Sequence, residues 1–137
     1  MSYKFSRRSK AALESAHPDL QHLFNEVIKY IDCTVIFGHR TEEEQEEQFR
    51  LGHTKLHFPR SKHNSKPSLA VDVVPYPIDW NNRERFVYFA GIVKGIAFNM
   101  GLVIRWGGDW DSDNDLRDQI WMDLPHYELI IQNDDDS

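Results

Sequence analysis

At 137 residues, the chain is long enough for one domain that buries roughly two-thirds of its unfolded surface, and too short for two. Hydrophobic residues make up 40% of the sequence and aromatic residues 12%, which favours a packed globular protein over a disordered chain. The net charge of −6 lacks the basic excess that nucleic-acid binding requires, so DNA and RNA are poor candidates for partners.

The first part of the chain predicts a helix, a strand and a second helix. Apolar residues recur at helical spacing over residues 19–31, and Pro18 suits the first turn of that helix. Cys33–Phe37 is rich in β-branched and aromatic residues, which is typical of a buried strand. Residues 41–44 have the pattern of a capping box, so another helix should begin there and end near Gly52.

The remainder predicts a long loop, three strands and one more helix. Residues 53–67 are polar and contain two prolines, which indicates a loop long enough to have a function. Residues 68–74 have strand composition, and residues 82–99 have helical spacing. Residues 102–106 and 126–131 read as further strands. Because strands and helices do not alternate regularly, we expect one α+β domain over residues 1–137, with helices packed on a small, mostly antiparallel sheet and an acidic tail at about 132–137.

Asp72 is the most informative single residue. It lies in the otherwise apolar segment Leu-Ala-Val-Asp-Val-Val, so its carboxylate should be buried. An unpaired buried charge costs several kcal/mol, which means that Asp72 needs a cation. The segment alone leaves open whether that cation is a metal ion or an arginine.

A second group of polar residues surrounds the start of the last strand. His126 opens this strand, and strand alternation places Glu128 on the same face, where it could support a metal-bound histidine. Asp123 lies three residues before His126 in a short turn. A carboxylate near a metal-bound water is suited to act as general base. An isolated D-x-x-H pattern leaves a second interpretation open, a solvated aspartate beside a core histidine.

His63 lies on the long loop and completes a candidate ligand set. Together, His63, Asp72 and His126 offer two imidazoles and one carboxylate, the ligand number and type of a catalytic zinc site with a fourth position for water. Zinc lowers the pKa of such a water to about 7, which makes hydroxide available to attack an amide. These residues therefore predict one Zn²⁺ per chain and peptidase chemistry.

Four segments, in order, resemble motifs of the D-alanyl-D-alanine-type zinc peptidases. They are GHRTEEEQ, SKHNSKPSLAVD, RWGGDWD and DLPHYEL. In length and motif order the chain is most similar to the short phage L-alanyl-D-glutamate peptidases, which are endolysins. The likeness runs from about Phe37 to Ile131 and implies a fold of the hedgehog/D-Ala-D-Ala-peptidase type.

The resemblance also implies roles for individual residues. The three candidate ligands would bind Zn²⁺, and Asp123 would be the catalytic base. Arg40, with Ser61 nearby, would hold a carboxylate of the peptidoglycan stem peptide, a pairing for which a guanidinium group is well shaped. Without the resemblance, Arg40 would be taken for a surface arginine at a strand end. The connection between His63 and Asp72 is about two residues longer than in the usual motif, which a loop tolerates at small entropic cost.

The function expected from these features is that of a zinc-dependent peptidoglycan endopeptidase, which cleaves the L-alanyl-D-glutamate bond of stem peptides for host cell lysis. One alternative with the same chemistry is a D,D-carboxypeptidase or dipeptidase that acts on D-Ala-D-Ala termini. An alternative of another class is a non-catalytic cell-wall-binding or signalling module with the same fold. We expect the protein to be a monomer.

The sequence also leads to an expectation about location. The N-terminal segment lacks the apolar core of a secretory signal, and no stretch approaches the roughly 20 apolar residues of a membrane span. The single cysteine, Cys33, excludes an intramolecular disulfide and suits a reducing compartment. We expect synthesis in the host cytoplasm, no stable membrane insertion, and access to periplasmic peptidoglycan after a holin-like partner has permeabilised the membrane.

An acidic segment raises the question of a second metal. Asp111, Asp113 and Asp115 begin like a calcium-binding loop. Leu116 and Met122 then occupy the positions where an EF-hand needs glycine and glutamate, so an EF-hand is not expected. A looser regulatory Ca²⁺ site at this segment is a hypothesis.

Overall fold

The computed structural model describes residues 3–114 and 122–131. Within these ranges, the chain forms four α-helices, four strands and a short 3-10 helix. The helices are α1 (Arg7–Glu14), α2 (Pro18–Val27), α3 (Glu42–Arg50) and α4 (Arg83–Asn99). The strands are β1 (Cys33–Phe37), β2 (Ala70–Pro75), β3 (Ile104–Trp106) and β4 (His126–Leu129), and the 3-10 helix is Lys62–Asn64. The predicted α+β class is confirmed.

Local sequence signals account for where three of the helices begin. Pro18 occupies the first turn of α2, Thr41 and Glu44 form the expected capping box of α3, and the Asn82 side chain caps α4. α2 ends at Val27, four residues earlier than predicted. In the described part of the chain, no helix combines the length and the apolar composition needed to cross a membrane.

Sequence reasoning missed α1. This helix buries only Ser9 and Leu13, and Leu13 is its one large apolar residue, so its sequence has too few apolar positions to reveal the helix. Contacts with β1 hold it in place: the Ser9 hydroxyl accepts a hydrogen bond from the Val35 N–H, and Gly38 packs directly against the Ala12 carbonyl. A side chain at position 38 would overlap that carbonyl, which explains the glycine.

The four strands form one sheet in the order β1-β2-β4-β3, and every described pairing within it is antiparallel. β4, from the end of the chain, is inserted between β2 and β3 and therefore lies beside both. The register places Asp72 opposite His126 and Arg105 opposite Glu128. Since directly opposite side chains lie about 5 Å apart, the register alone brings two pairs of polar groups together.

One side of the sheet, the core face, packs against the helices. On the central strands it consists of Val71, Val73, Tyr127 and Leu129. The Tyr127 ring makes edge contacts with Phe24 of α2 and with Phe89 of α4. Both helices therefore bury their apolar sides against the same strand residues.

The opposite side of the sheet, the site face, is buried but polar. On β2, β4 and β3 it presents Asp72, His126, Glu128 and Arg105. The alternation of strand side chains thus separates an apolar core from a polar centre within a few residues of sequence.

Candidate metal centre and active site

The three predicted ligands converge. His63, Asp72 and His126 each offer one ligand atom, and these atoms lie within 4.8 Å of one another. The Oδ1 atom of Asp72 is 3.1 Å from Nε2 of His63 and 3.4 Å from Nδ1 of His126. All three side chains are buried. Two imidazoles and one carboxylate oxygen therefore surround one point, although nine residues separate His63 from Asp72 in sequence.

The loop that carries His63 is attached to the end of β1. The Arg40 N–H donates to the His63 carbonyl at 2.8 Å, and the Leu69 N–H donates to the Lys62 carbonyl at 3.0 Å. The His63 ring contacts the Gly38 carbonyl through Nδ1 at 2.7 Å. Because a carbonyl only accepts, Nδ1 must carry the proton, and Nε2 is left with its lone pair toward Asp72.

His126 is oriented in the same manner from the other side. Its Nε2 lies 2.9 Å from Oε1 of Glu128, and the other oxygen of Glu128 accepts from Arg105 at 2.8 Å. This carboxylate holds the proton on Nε2 and directs Nδ1 toward Asp72. Sequence alternation predicted that Glu128 would lie on the face of His126, whereas the contribution of Arg105 was not predicted.

The sequence left open whether an arginine or a metal ion balances the charge of Asp72, and the structure gives each of its two oxygens a different role. Its Oδ2 accepts a hydrogen bond from Nη2 of Arg40 at 2.6 Å, while Oδ1 faces both histidines. Burial opposes ionisation of this carboxyl, but His63, His126 and Arg40 hold its pKa well below the usual range. The carboxylate is therefore charged, and it is shared between an arginine and the candidate metal position.

The carboxylates of this centre favour a positive charge at the position between the three candidate ligands. Asp72, Asp123 and Glu128 contribute carboxylates around His126. Burial opposes protonation of His126, yet hydrogen bonds to Asp72 and Glu128 raise its pKa to about 9. A divalent cation meets the same demand, and the oriented nitrogens of the two histidines suit it.

Asp123, the predicted general base, lies at the edge of this centre. One of its oxygens is 3.9 Å from Nδ1 of His126. Burial and the charge of Asp72 raise the pKa of Asp123 to about 7, which suits proton exchange at neutral pH. Its backbone is anchored to Gly107, whose carbonyl accepts from the Asp123 N–H at 2.8 Å. A side chain at position 107 would overlap the Asp123 carbonyl, so this close approach requires glycine.

Arg40 and Ser61, the predicted substrate-binding residues, are both buried beside the ligands. Arg40 is 5% exposed and donates to Asp72 and, at 3.3 Å, to Gln45. Its Nε has no hydrogen-bond partner among the described residues. The Ser61 hydroxyl accepts from the His63 N–H and so caps the 3-10 helix. Contact of either side chain with a substrate stays a prediction.

Two cavities meet at the centre, and Arg40 and Asp123 line both of them. The first cavity, the apolar pocket, has a volume of about 650 Å³. Its apolar lining comprises Ile36, Phe37, Trp80, Phe86, Met122 and Leu124. The second, the basic pocket, has a volume of about 290 Å³. Besides Arg40 and Asp123, it is lined by the candidate ligands His63 and His126 and by Thr54, Lys55, Leu56, Ser61, Lys62, Arg105, Trp110 and Glu128. A linear substrate could thus extend from the centre in two directions.

Trp110 is a site residue that sequence reasoning left out. Its ring lies 5.3 Å from the His126 ring, and the Arg105 guanidinium lies 5.4 Å from the Trp110 ring centroid. Burial in the core is the commoner place for tryptophan, and Trp106 follows that rule, with its Nε1 donating to the Leu124 carbonyl. Trp110 lies beyond the end of β3 at Trp106, so strand alternation gave no signal for it.

The acidic segment forms a second cluster. Asp109, Asp111 and Asp113 each bring a carboxylate oxygen within 4.8 Å of the others, but only Asp109 is buried. Asp109 also accepts from the Asn114 N–H and lies 3.6 Å from the Lys94 ammonium. Asp115, which belongs to the predicted calcium pattern, lies outside the described residues. The Ca²⁺ site stays a hypothesis.

Comparison with known proteins identifies the family. The model of the phage L-alanyl-D-glutamate peptidase family matches residues 1–130 of the chain. The chain belongs to this family. The resemblance inferred from the four motifs is therefore confirmed, as is the prediction of an enzyme, a peptidase.

Two similar proteins of known name support the same conclusion. The L-alanyl-D-glutamate peptidase of Escherichia phage T5 is 30% identical over 139 residues, which cover 95% of this chain and 100% of that protein. The crystal structure of the Serratia marcescens L-Ala-D-Glu endopeptidase ChiX superposes with a TM-score of 0.71 at 28% identity. That match covers 94% of this chain and 91% of the Serratia chain.

Proposed function

We propose that this peptidase cleaves the L-alanyl-D-glutamate bond of peptidoglycan stem peptides, and that one zinc ion held by His63, Asp72 and His126 assists it. The observation that carries the proposal is the orientation of the two histidines. Gly38 and Glu128 each bind one ring nitrogen, so both remaining nitrogens face the same carboxylate oxygen. The choice of the L-alanyl-D-glutamate bond follows the two similar proteins, both of which are named for cleaving it.

The donor set suits zinc better than a hard cation such as Mg²⁺ or Ca²⁺, which prefers oxygen ligands. Zinc held by His63, Asp72 and His126 would act as a Lewis acid and would make hydroxide available near neutral pH. Asp123 accepts a proton from the attacking water and delivers it to the amine of the departing glutamate. The hydroxyl of the water is thereby added to the alanine carbonyl and its proton to the amine. A carboxylate at this position, 3.9 Å from Nδ1 of His126, is suited to both transfers.

The charges of the basic pocket suit the glutamyl side of the substrate. The glutamate gives its amine to the scissile bond, so whichever carboxyl group continues the chain, the other one remains free. Lys62 is exposed in this pocket and forms no ion pair with a described residue. Arg40 and Ser61 line the same pocket. These groups can hold the glutamyl carboxylate through charge-assisted hydrogen bonds.

Product analysis tests the proposed bond. Purified protein is incubated with defined muropeptides, and the products are identified by mass spectrometry. Release of the peptide that begins with D-glutamate supports the proposal. Release of free D-alanine from an intact stem would instead identify a D,D-carboxypeptidase. His126→Ala serves as the inactive control.

Metal removal tests the proposed cofactor. EDTA should abolish cleavage, and one equivalent of Zn²⁺ should restore it, because the ligands meet around one position. Zinc should also raise the melting temperature of the stripped protein, since a ligand that binds only the folded state stabilises it. Full activity after exhaustive chelation would reject the metal.

Host cell lysis and its requirements belong to the same proposal. The protein would act as a monomer consisting of one zinc peptidase domain over residues 1–137. It would be made in the host cytoplasm and reach periplasmic peptidoglycan through a membrane opened by a holin-like partner. Expression with and without a membrane-permeabilising agent tests this: lysis should require the agent, and reliable lysis without it would contradict the proposal.

A further inference from the structure

Trp80 is an exposed tryptophan on the wall of the active-site cleft. Its side chain is 60% exposed, although tryptophan is usually buried for most of its surface. The ring stacks on Phe86, at 5.8 Å between centroids and 24° between planes. Phe86 is 2% exposed and belongs to α4, so the base of this stack is anchored in the fold. Trp80 thus presents a supported aromatic surface to the apolar pocket.

The apolar pocket is too large for the alanyl residue alone. Its volume of about 650 Å³ lies in the range of sites that hold drug-sized molecules, whereas the alanine side chain is one methyl group. Phe37, Met122 and Leu124 belong to the same apolar lining, and Arg40, Asp72 and Asp123 of the centre also line the pocket. A group considerably larger than alanine can therefore bind beside the scissile bond.

The direction of the substrate determines what that group is. If the glutamyl carboxylate binds in the basic pocket, the alanyl side extends into the apolar pocket. In peptidoglycan, the amine of this alanine is acylated by the lactyl group of N-acetylmuramic acid. The next chemical group on this side is therefore a sugar, with an apolar C–H face, an acetamido methyl group and polar hydroxyls.

The pocket offers partners for each of these parts. The indole of Trp80 can stack on the C–H face of the ring, and the apolar lining can accept the methyl groups. Gln48 and His53, which contact each other at 2.9 Å, supply hydrogen-bonding groups in the same pocket. A mostly apolar cavity with a few convergent polar groups is the usual composition of a small-molecule site.

We propose that the apolar pocket is a glycan subsite in which Trp80 stacks on the N-acetylmuramoyl sugar that precedes the scissile bond. The proposal rests on the proposed function, since that function sets the direction of the substrate. It makes the enzyme selective for stem peptides that are still attached to the glycan strand.

Selectivity for sugar-linked peptides is tested with two substrates, one with the sugar and one without it. One is an N-acetylmuramoyl tripeptide that begins with L-Ala-D-Glu, and the other is the same tripeptide with an N-acetyl cap. Wild type should cleave the sugar-linked substrate with a kcat/KM higher by about tenfold or more. Trp80→Ala should lower kcat/KM for the sugar-linked substrate by about tenfold, and for the capped peptide by less than about threefold. Trp80→Phe should keep most of the preference.

A matched control separates loss of the subsite from loss of an exposed aromatic residue. Tyr88 is 69% exposed on α4 and lines neither pocket, so Tyr88→Ala should leave both rates at the wild-type value. Melting temperatures show whether each variant is folded. Equal wild-type rates on the two substrates would overturn the proposal, and so would an equal loss on both in Trp80→Ala.

Sugar binding without cleavage keeps the subsite testable even if the proposed bond is wrong. The peptide-free disaccharide N-acetylglucosaminyl-N-acetylmuramic acid is added to wild type and to Trp80→Ala, and saturation-transfer NMR is recorded. Ring-proton signals with wild type that weaken in the variant support the subsite. Absence of signals with wild type, or equal signals with the variant, would overturn it. Cleavage at another bond would reject the proposed function only.

Discussion

On β2 and β4, residues that face the helices alternate with residues that face the candidate metal centre. The core face carries Val71 and Tyr127, and the site face carries Asp72, His126 and Glu128. Both faces are buried, so burial does not distinguish them. Hydrogen bonding does: each polar side chain named on the site face has a partner, whereas the Tyr127 hydroxyl has none among the described residues.

This difference shows what a buried polar centre requires. Taking charges out of water costs several kcal/mol for each ion, and the site face offsets that cost by mutual pairing. The pairs also restrict the side chains to one orientation, because each ring nitrogen has a defined partner. The core face needs only apolar contact, which tolerates an isolated hydroxyl at some cost in stability. Substitutions on the two faces should therefore have separable consequences.

The largest effect should follow substitution of Asp123 at the edge of the site face. Asp123→Asn removes the proton acceptor and should lower kcat by about 10²–10⁴-fold, while the free energy of unfolding changes little. Steady-state kinetics and urea unfolding measure the two quantities. Asp19→Asn makes the same change on α2, outside both pockets, and should leave kcat unaltered. Activity within tenfold of wild type would exclude Asp123 as the base.

On the core face, Cys33 should be unreactive. Burial, with a contribution from the charge of Asp32, raises the pKa of its thiol from 9.0 to about 12. The folded state thus favours the neutral thiol, so its stabilising contribution is present below pH 9.0 and is lost as the pH rises toward 12. At pH 8.5, iodoacetamide should modify the native protein on the order of 10³-fold more slowly than the urea-unfolded protein.

The same labelling experiment, repeated after metal removal with EDTA, tests whether the core face is independent of the site face. Because Cys33 lies in the apolar core rather than at the candidate metal centre, EDTA should leave its slow modification unchanged. Rapid labelling after chelation would show that the metal also holds the core together.

A smaller effect should follow the loss of one supporting charge on the site face. Glu128→Gln weakens the acceptor that orients His126 and should lower zinc affinity by about 10–100-fold. Competition with a chromogenic chelator measures that affinity. Glu47→Gln makes the matched change in a surface ion pair with Arg50 and should not alter zinc binding. Equal affinities for wild type and Glu128→Gln would show that the centre does not depend on this contact.

The smallest effect concerns Tyr127, which stands between His126 and Glu128 in sequence but on the core face. Tyr127→Phe removes a buried hydroxyl without a described partner and should raise the free energy of unfolding by about 1 kcal/mol. Zinc affinity and kcat/KM should stay at wild-type values. A loss of stability would reveal a favourable contact of the hydroxyl, and a loss of activity would contradict the independence of the two faces.

The sequence by itself determined the local elements and the chemical types at the centre. The capping box at Thr41 and the apolar spacing of α4 each involve residues only a few positions apart. Local sequence patterns can therefore predict them. The alternation of β4 likewise placed His126 and Glu128 on one face. Motif resemblance supplied the third ligand, His63, because nothing local to that loop distinguishes it from the other loop histidines.

Only the tertiary structure decided which distant groups meet. The order β1-β2-β4-β3 brings the end of the chain against β2, and strand composition does not encode which strands pair. That order puts His126 beside Asp72 and Arg105 beside Glu128. α1 is a further example, since contacts with β1 stabilise it rather than its own apolar pattern. The contact of His63 with Gly38 and the contact of Arg105 with Glu128 join residues more than twenty positions apart, and such contacts exist only once the chain has folded.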